Sequence, residues 1–271
     1  MDNRPIGVFD SGLGGLTVVR QLLKELEKEN IVYFGDTGRV PYGTRSPDTI
    51  RRYTAEDCRF LRKFDVKLII AACGTASSVG AEVLKAQDVP AIGVVDATAK
   101  AAVAATKSGR IGVLGTAATV QTDAFGYAMR RERPDVQVFS KACPLFVSLV
   151  ENGWIDRDDE VTIATAKRYL QPLIEADIDT LILGCTHFPL LAPILQDILG
   201  DGVTLIDSGR ETAKAAHVLL QQADALCENG DGGCRFFVSD TPQGFSDVAQ
   251  MFLGRAVSDD VSMVDTAAFQ E

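Results

Sequence analysis

Leu68-Ile69-Ile70-Ala71-Ala72-Cys73-Gly74-Thr75 reads as an apolar strand that ends in a small residue, a cysteine and a threonine. A second stretch, Leu181-Ile182-Leu183-Gly184-Cys185-Thr186, repeats the pattern. In open α/β sheets ligands bind beyond the carboxyl ends of the strands. Two cysteines at two such ends therefore face one cleft if the two sheets meet there. Two buried structural thiols fit the same pattern equally well, because cysteine is among the most buried residue types.

Short β-branched runs of this kind recur at 6–9, 31–34, 67–71, 91–95, 110–115, 136–139, 180–183, 203–207, 235–238 and 261–264. Helical stretches fill most of the gaps, for example 16–29, 47–64 and 157–175. Strands alternating with helices predict parallel sheets flanked by helices. Strands covered on both faces read as unbroken apolar runs, as these do. Ten strands in 271 residues predict two sheets rather than one. The expected class is α/β, with one domain near 1–95 and a second near 96–209. No Pro/Ser-rich linker marks the boundary. The polar, Gly-rich segment 224–233 reads as a surface turn.

Composition narrows the function classes. Hydrophobic residues make up 46% and charged residues 24%, an ordinary globular balance. Lys and Arg number 27 against 37 Asp and Glu, a net charge of −10. That argues against nucleic acid as a partner, because its binding needs cationic surface to replace counterions. No apolar run approaches the roughly 18 residues of a membrane span, and the start lacks the apolar core of a secretory signal. The expected location is the cytoplasm. Six cysteines are too sparse for a disulfide scaffold. With no CxxC pair and two histidines, the chain offers no zinc-site spacing, and no metal is expected.

Four stretches carry candidate chemistry. Asp10-Ser11-Gly12-Leu13-Gly14-Gly15-Leu16 follows a strand and opens a helix, so its backbone N–H groups can meet an anion. It is no dinucleotide fingerprint, because the third glycine of that pattern would fall at Thr17. The loop 35–46 sets Tyr42 between Pro41 and Gly43, which suits a substrate-lining loop as well as a plain turn. Gly184-Cys185-Thr186-His187-Phe188-Pro189 places a thiol two residues from an imidazole. A nucleophilic Cys–His pair and a metal pair both have that spacing, but no other Cys/His cluster supplies further ligands. Gly115-Thr116-Ala117-Ala118-Thr119 offers two hydroxyls at a helix start; capping uses one and an anion site uses both. His217 lies in an apolar helical stretch and reads as a packed or surface residue. Cys58, Cys143, Cys227 and Cys234 read as packing or inert thiols.

Taken together, these stretches resemble the aspartate/glutamate racemase family. The carrying motifs are Ile6-Gly7-Val8-Phe9-Asp10-Ser11-Gly12-Leu13-Gly14-Gly15, the 35–46 loop, Ala72-Cys73-Gly74-Thr75-Ala76-Ser77 and 183–189. They span most of the chain, in family order and at family spacing. The resemblance implies a cofactor-independent racemase interconverting L- and D-glutamate, which supplies D-glutamate for peptidoglycan. It implies two α/β domains, pseudo-symmetric around a central cleft, usually in a homodimer. It also implies that 210–271 returns to the first domain. One subgroup carries an N-terminal extension tied to activation by a cell-wall precursor; this chain opens on its first motif and looks unlike that subgroup.

Inverting a weakly acidic Cα centre needs a base on one face and an acid on the other. Two thiols on opposite faces supply both without moving, one as thiolate and one as thiol. By resemblance, Cys73 serves the D-glutamate face and Cys185 the L-glutamate face. Asp10 and His187 assist them respectively. Glu151 matches a further polar residue near the second thiol, or else a solvated helix-end carboxylate. The motifs offer no basic residues beyond Arg39 and Arg45, so neutral groups must hold the substrate carboxylates. Those implied to line the substrate are Asp10, Ser11, Pro41, Tyr42, Gly43, Gly74, Thr75, Thr116, Thr119, Thr186 and His187. One position departs from the family pattern: asparagine usually follows the first cysteine, and here it is Gly74. Three other readings remain: a related aspartate or hydantoin racemase, a Cys–His amidohydrolase using Cys185 alone, and a binding module on a degenerate racemase.

Overall fold

A computed structural model describes residues 2–228, 230, 232–241, 245–255 and 261–269. Its strands are β1 (Ile6–Asp10), β2 (Ile31–Gly35), β3 (Leu68–Ala71), β4 (Ala91–Gly93), β5 (Arg110–Gly115), β6 (Gln137–Ala142), β7 (Thr180–Leu183), β8 (Thr204–Asp207), β9 (Cys234–Val238) and β10 (Val261–Met263). They form two sheets, ordered β10-β9-β2-β1-β3-β4 and β6-β5-β7-β8. Every pairing is parallel. This is the two-sheet α/β architecture that the alternation of strands and helices predicts.

The order β2-β1-β3-β4 in the first sheet matches β6-β5-β7-β8 in the second, so β1 corresponds to β5 and β3 to β7. The register carries the correspondence to the residue level. Phe9 of β1 pairs with Ala71 of β3, and Leu114 of β5 pairs with Leu183 of β7. Cys73 and Cys185 each lie two residues beyond the end of an equivalent strand.

The apolar runs are unbroken because successive side chains point to opposite, covered faces. Ile6, Val8, Leu68 and Ile70 join one core cluster, while Phe9, Ile69 and Ala71 join the other. The first cluster continues through Leu16, Val19 and Leu22 of the helix Leu16–Glu25 into Leu114, Leu181 and Phe188 of the second half. One shared core thus fixes the two halves against each other. Truncating one of these side chains to alanine costs about 2–5 kcal/mol.

Element ends differ from the sequence expectation where side chains have other partners. Lys67 precedes β3 rather than opening it, because its buried ammonium pairs with Glu29 at 2.7 Å. β4 stops at Gly93, and Val94 and Val95 are buried in the first turn of the helix Val94–Ala105. The helix expected from 157 begins at Glu160, where the Asp159 carboxylate caps it by accepting the Thr162 N–H at 2.7 Å. Part of the expected 224–233 turn, Asn229 and Asp231, lies outside the described residues. Among the described residues no helix is long and apolar enough to cross a membrane.

Candidate active site

The carboxyl ends of β1, β3, β5 and β7 surround a cavity of about 340 Å³. That volume suits a molecule the size of an amino acid. Cys73 and Gly74 line one wall, and Gly184, Cys185 and His187 line the other. Both thiols are buried, with exposures of 5% and 9%.

The first wall is built on β1 and β3. Asp10 ends β1 and is 1% exposed. Its Oδ2 accepts the Gly12 N–H at 3.0 Å, while its buried Oδ1 has no hydrogen-bond partner. Burial pushes the Asp10 carboxyl above its usual range; nearby His187 and the Gly15 and Gly12 amides offset part of the shift. Cys73 caps the short helix Gly74–Val79, its Sγ accepting the Ala76 N–H at 3.5 Å, and it lies 3.5 Å from the Ser11 hydroxyl. Burial first, and then the Asp10 carboxylate, push this thiol up to about 12. Cys73 is therefore a protonated thiol near neutral pH.

The second wall is built on β5 and β7. Cys185 Sγ lies 3.8 Å from His187 Nδ1, and Thr186 Oγ1 lies 3.3 Å from the same nitrogen. His187 Nε2 meets Glu151 Oε1 at 3.1 Å. Burial opposes a charge on His187, but the hydrogen bonds to Cys185 and Glu151 and the Asp10 carboxylate outweigh it, raising the imidazole to about 10. The cation is thus sandwiched between the Cys185 sulfur and the Glu151 carboxylate. Glu151 closes the helix Pro144–Glu151, and Pro144, Val147 and Ser148 from the same face also line the cavity. The sequence reading missed those three. Their spacing of three, four and seven, which marks one helix face, was the available signal.

Of the other expected residues, Ser11, Pro41, Gly43, Thr75, Thr116 and Thr186 lie on the cavity wall. Thr75 and Thr116 join the two halves through hydroxyls 2.9 Å apart. Asp10 and Thr119 stand behind the wall rather than on it. Thr119 is buried and reaches Thr116 at 3.0 Å. Tyr42 borders the cavity, but its hydroxyl is hydrogen-bonded between the carboxyl groups of Asp36 and, at 2.9 Å, Asp57. It is spent on a buried acidic cluster and is not free for a substrate carboxylate. The same cluster holds Arg39, which pairs with Asp36, Glu56 and Asp57. Sequence reading missed this anchor because its members come from the 35–46 loop and from the helix Pro47–Arg62.

No Lys or Arg is among the cavity-lining residues. An anionic ligand must be held by neutral donors and the His187 cation, each charge-assisted hydrogen bond contributing roughly 1.5–3 kcal/mol. The cavity thus offers neutral donors for carboxylates and two ionisable thiols on opposing walls. Among the described residues no group of three or more His, Cys, Asp or Glu is placed to hold a metal ion. His217 is outside the site; its Nδ1 lies 2.8 Å from Glu25 Oε1 at the surface. Cys58 and Cys143 are buried thiols pushed up by burial, and Cys227 and Cys234 pack elsewhere in the chain.

Comparison with known proteins shows the family. A family profile described as Asp/Glu/Hydantoin racemase matches residues 6–216. A glutamate racemase of Geobacter metallireducens is 46% identical over 258 residues, covering 94% of this chain and 95% of that protein. Among solved structures, a glutamate racemase isoform of Bacillus anthracis superposes with a TM-score of 0.92 at 38% identity, covering 98% of both chains. The glutamate racemase of Francisella tularensis in complex with D-glutamate gives 0.91 at 36% identity, covering 99% of this chain and all of that one.

Proposed function

Because this chain belongs to the Asp/Glu/Hydantoin racemase family, we propose that Cys73 and Cys185 invert the Cα centre of glutamate from opposite walls of the cleft. The reaction is the interconversion of L- and D-glutamate, the activity named for its relatives at 46% identity. The observation that carries the mechanism is two buried thiols at equivalent strand ends, facing one cavity.

With L-glutamate, Cys185 takes the Cα proton as thiolate; the C–H bond breaks, an S–H bond forms, and the electron pair stays on the substrate. The charge on His187, 3.8 Å away, balances the thiolate before transfer. Cys73 then gives its proton to the opposite face, and a C–H bond forms as its S–H bond breaks. Turnover leaves Cys73 as thiolate and Cys185 as thiol, the state that D-glutamate needs. Asp10, with one unpartnered oxygen, can exchange that proton with Cys73 between turnovers. Ser11, Thr75, Thr116, Thr186 and the Gly43 and Gly74 amides hold the carboxylates. No step calls for a cofactor.

The partition of strands between the two sheets supports a division into 1–95 with 210–271 and 96–209. From the same family we infer a cytoplasmic homodimer that supplies D-glutamate to peptidoglycan.

Optical rotation tests the reading. After dialysis against chelator, solutions of either glutamate enantiomer should decay to zero rotation, and aspartate should hold its rotation. Decay with aspartate and none with glutamate would move the substrate; loss of activity after dialysis would reinstate a metal.

A further inference from the structure

Residues 184–187 join β7 to the 3₁₀ turn Phe188–Leu191 and carry Cys185, Thr186 and His187 onto the cavity wall. A 3₁₀ turn ties a carbonyl to the N–H three residues on. The Phe188 N–H donates to the Cys185 carbonyl at 3.1 Å, and the Leu190 N–H to the His187 carbonyl at 3.2 Å. The Thr186 carbonyl lies between these two. It would need the N–H of residue 189, which is proline and has none. Its donor comes from the other half of the molecule instead, as the buried Thr17 hydroxyl at 2.9 Å.

Thr17 lies in the first turn of the helix Leu16–Glu25, which follows β1. Its hydroxyl is also 2.9 Å from the Gly14 carbonyl, so one proton is shared between carbonyls of the two halves. Gly14 lies against the same turn. A Cβ there would come within 2.6 Å of His187 Nδ1 and would collide with Thr186. The glycine thus admits the turn, and the hydroxyl three residues later fastens it.

We propose that Thr17 is a positioning residue for the reaction: its hydroxyl holds the Thr186 carbonyl and so keeps the Cys185 sulfur and the His187 imidazole aimed at the substrate. The inference rests on the two-thiol reading above. Thr17 is not among the cavity-lining residues, so it acts through the turn and not on the substrate. The carbonyl it holds belongs to the residue between the thiol and the imidazole, and displacing it disturbs both. The spacings at stake are 3.8 Å from Cys185 Sγ to His187 Nδ1 and 3.1 Å from His187 Nε2 to Glu151. Cys73 has its own contacts within the first half, with the Ala76 N–H and the Ser11 hydroxyl. Loss of the Thr17 hydroxyl therefore falls on the L-glutamate face.

The test compares wild type with Thr17→Val, which nearly keeps the shape and removes the hydroxyl, and Thr17→Ser, which keeps the hydroxyl. Racemisation of glutamate by wild type, and its loss in Cys185→Ala, check the underlying reading; the Thr17 variants check this one. Thr17→Val should lower kcat by about 10–10²-fold, the scale of a misplacement of up to 1 Å. The α-deuterium isotope effect should rise more from L-glutamate than from D-glutamate. The alkaline limb of the rate profile should move to lower pH, because His187 loses its hold on Cys185 and Glu151 while the Asp10 carboxylate stays in place. Thr17→Ser should bring all three close to wild type. A hydroxyl that served folding alone would lower the Tm of Thr17→Val and leave its kinetics, isotope effects and pH profile as in wild type. That result would overturn the proposal, as would equal isotope effects from the two enantiomers or no rescue by serine. If Thr17→Val does not fold, Thr17→Ala removes the same hydroxyl and is read in the same way.

Discussion

The two thiol-bearing turns occupy equivalent places in two matching sheets, yet their electrical surroundings are opposite. Cys73 sits beside the Asp10 carboxyl and the Ser11 hydroxyl, and burial with that negative neighbour holds its proton on. Cys185 sits beside His187, a cation kept charged by Glu151 and by Cys185 itself. A repeated backbone frame therefore places the sulfurs, while unlike neighbours give them opposite electrostatic surroundings. On the proposed mechanism this arrangement suits L-glutamate, with the proton on Cys73 and positive charge against Cys185. The lesson is that a reaction between mirror-image substrates does not require a mirror-image site.

Removing either sulfur breaks the comparison outright. Cys73→Ala and Cys185→Ala should each lower racemisation by at least about 10³-fold in both directions, the scale of a lost general acid or base. Optical rotation starting from each enantiomer measures this. Near-full activity in either variant would mean one thiol suffices.

Replacing the assisting groups should expose the asymmetry. L- and D-glutamate have equal free energy in water, so kcat/KM must remain equal in the two directions for any variant. The difference must therefore appear elsewhere. Asp10→Asn and His187→Asn should each slow turnover by about 10–10²-fold. The α-deuterium isotope effect should rise more for D-glutamate in the first variant and more for L-glutamate in the second. Equal rises in both would show that the neighbours are interchangeable.

Alkaline stability should separate the halves by pH window. His187 rises from 6.5 in the unfolded chain to about 10 in the fold, so its contribution is complete below 6.5 and is lost as pH climbs to 10. Cys73 rises from 9.0 to about 12, so its contribution is lost between those values. Melting temperature against pH should fall less steeply in His187→Asn than in wild type between pH 7 and 9. Cys73→Ala should parallel wild type there and diverge only above pH 9.

The smallest effect should come from Glu151→Gln. The Glu151 side chain is 53% exposed, so its ion pair with His187 is screened by water. Activity at neutral pH should fall by only about 2- to 5-fold, in line with an exposed charge pair. The alkaline limb of the rate profile should move to lower pH. An unchanged limb would remove Glu151 from the His187 relay.

Much of this frame was readable in the sequence, for a physical reason. Strands buried on both faces leave unbroken apolar runs, which located all ten strands; their ends drifted where a charge, as at Lys67, or a helix cap, as at Asp159, had a distant partner. The two cysteines stood out because equivalent strand ends repeat a local pattern. The contact of the Tyr42 hydroxyl with Asp57 was not legible because Asp57 lies on the following helix, and nothing local announces it. The Gly74–Gly184 approach was invisible for the same reason: it exists only once two sheets have packed. Local physics is written along the chain, whereas long-range contacts are written in the fold.

Early turnover in deuterium oxide shows whether separate thiols serve the two faces. Each glutamate enantiomer is incubated with enzyme, and deuterium at Cα is measured separately in remaining substrate and newly formed product. Product should carry solvent deuterium from the first turnovers, with unreacted substrate still protiated. Product that retains the substrate's own hydrogen would contradict it, because a single group would then have carried that hydrogen from one face to the other.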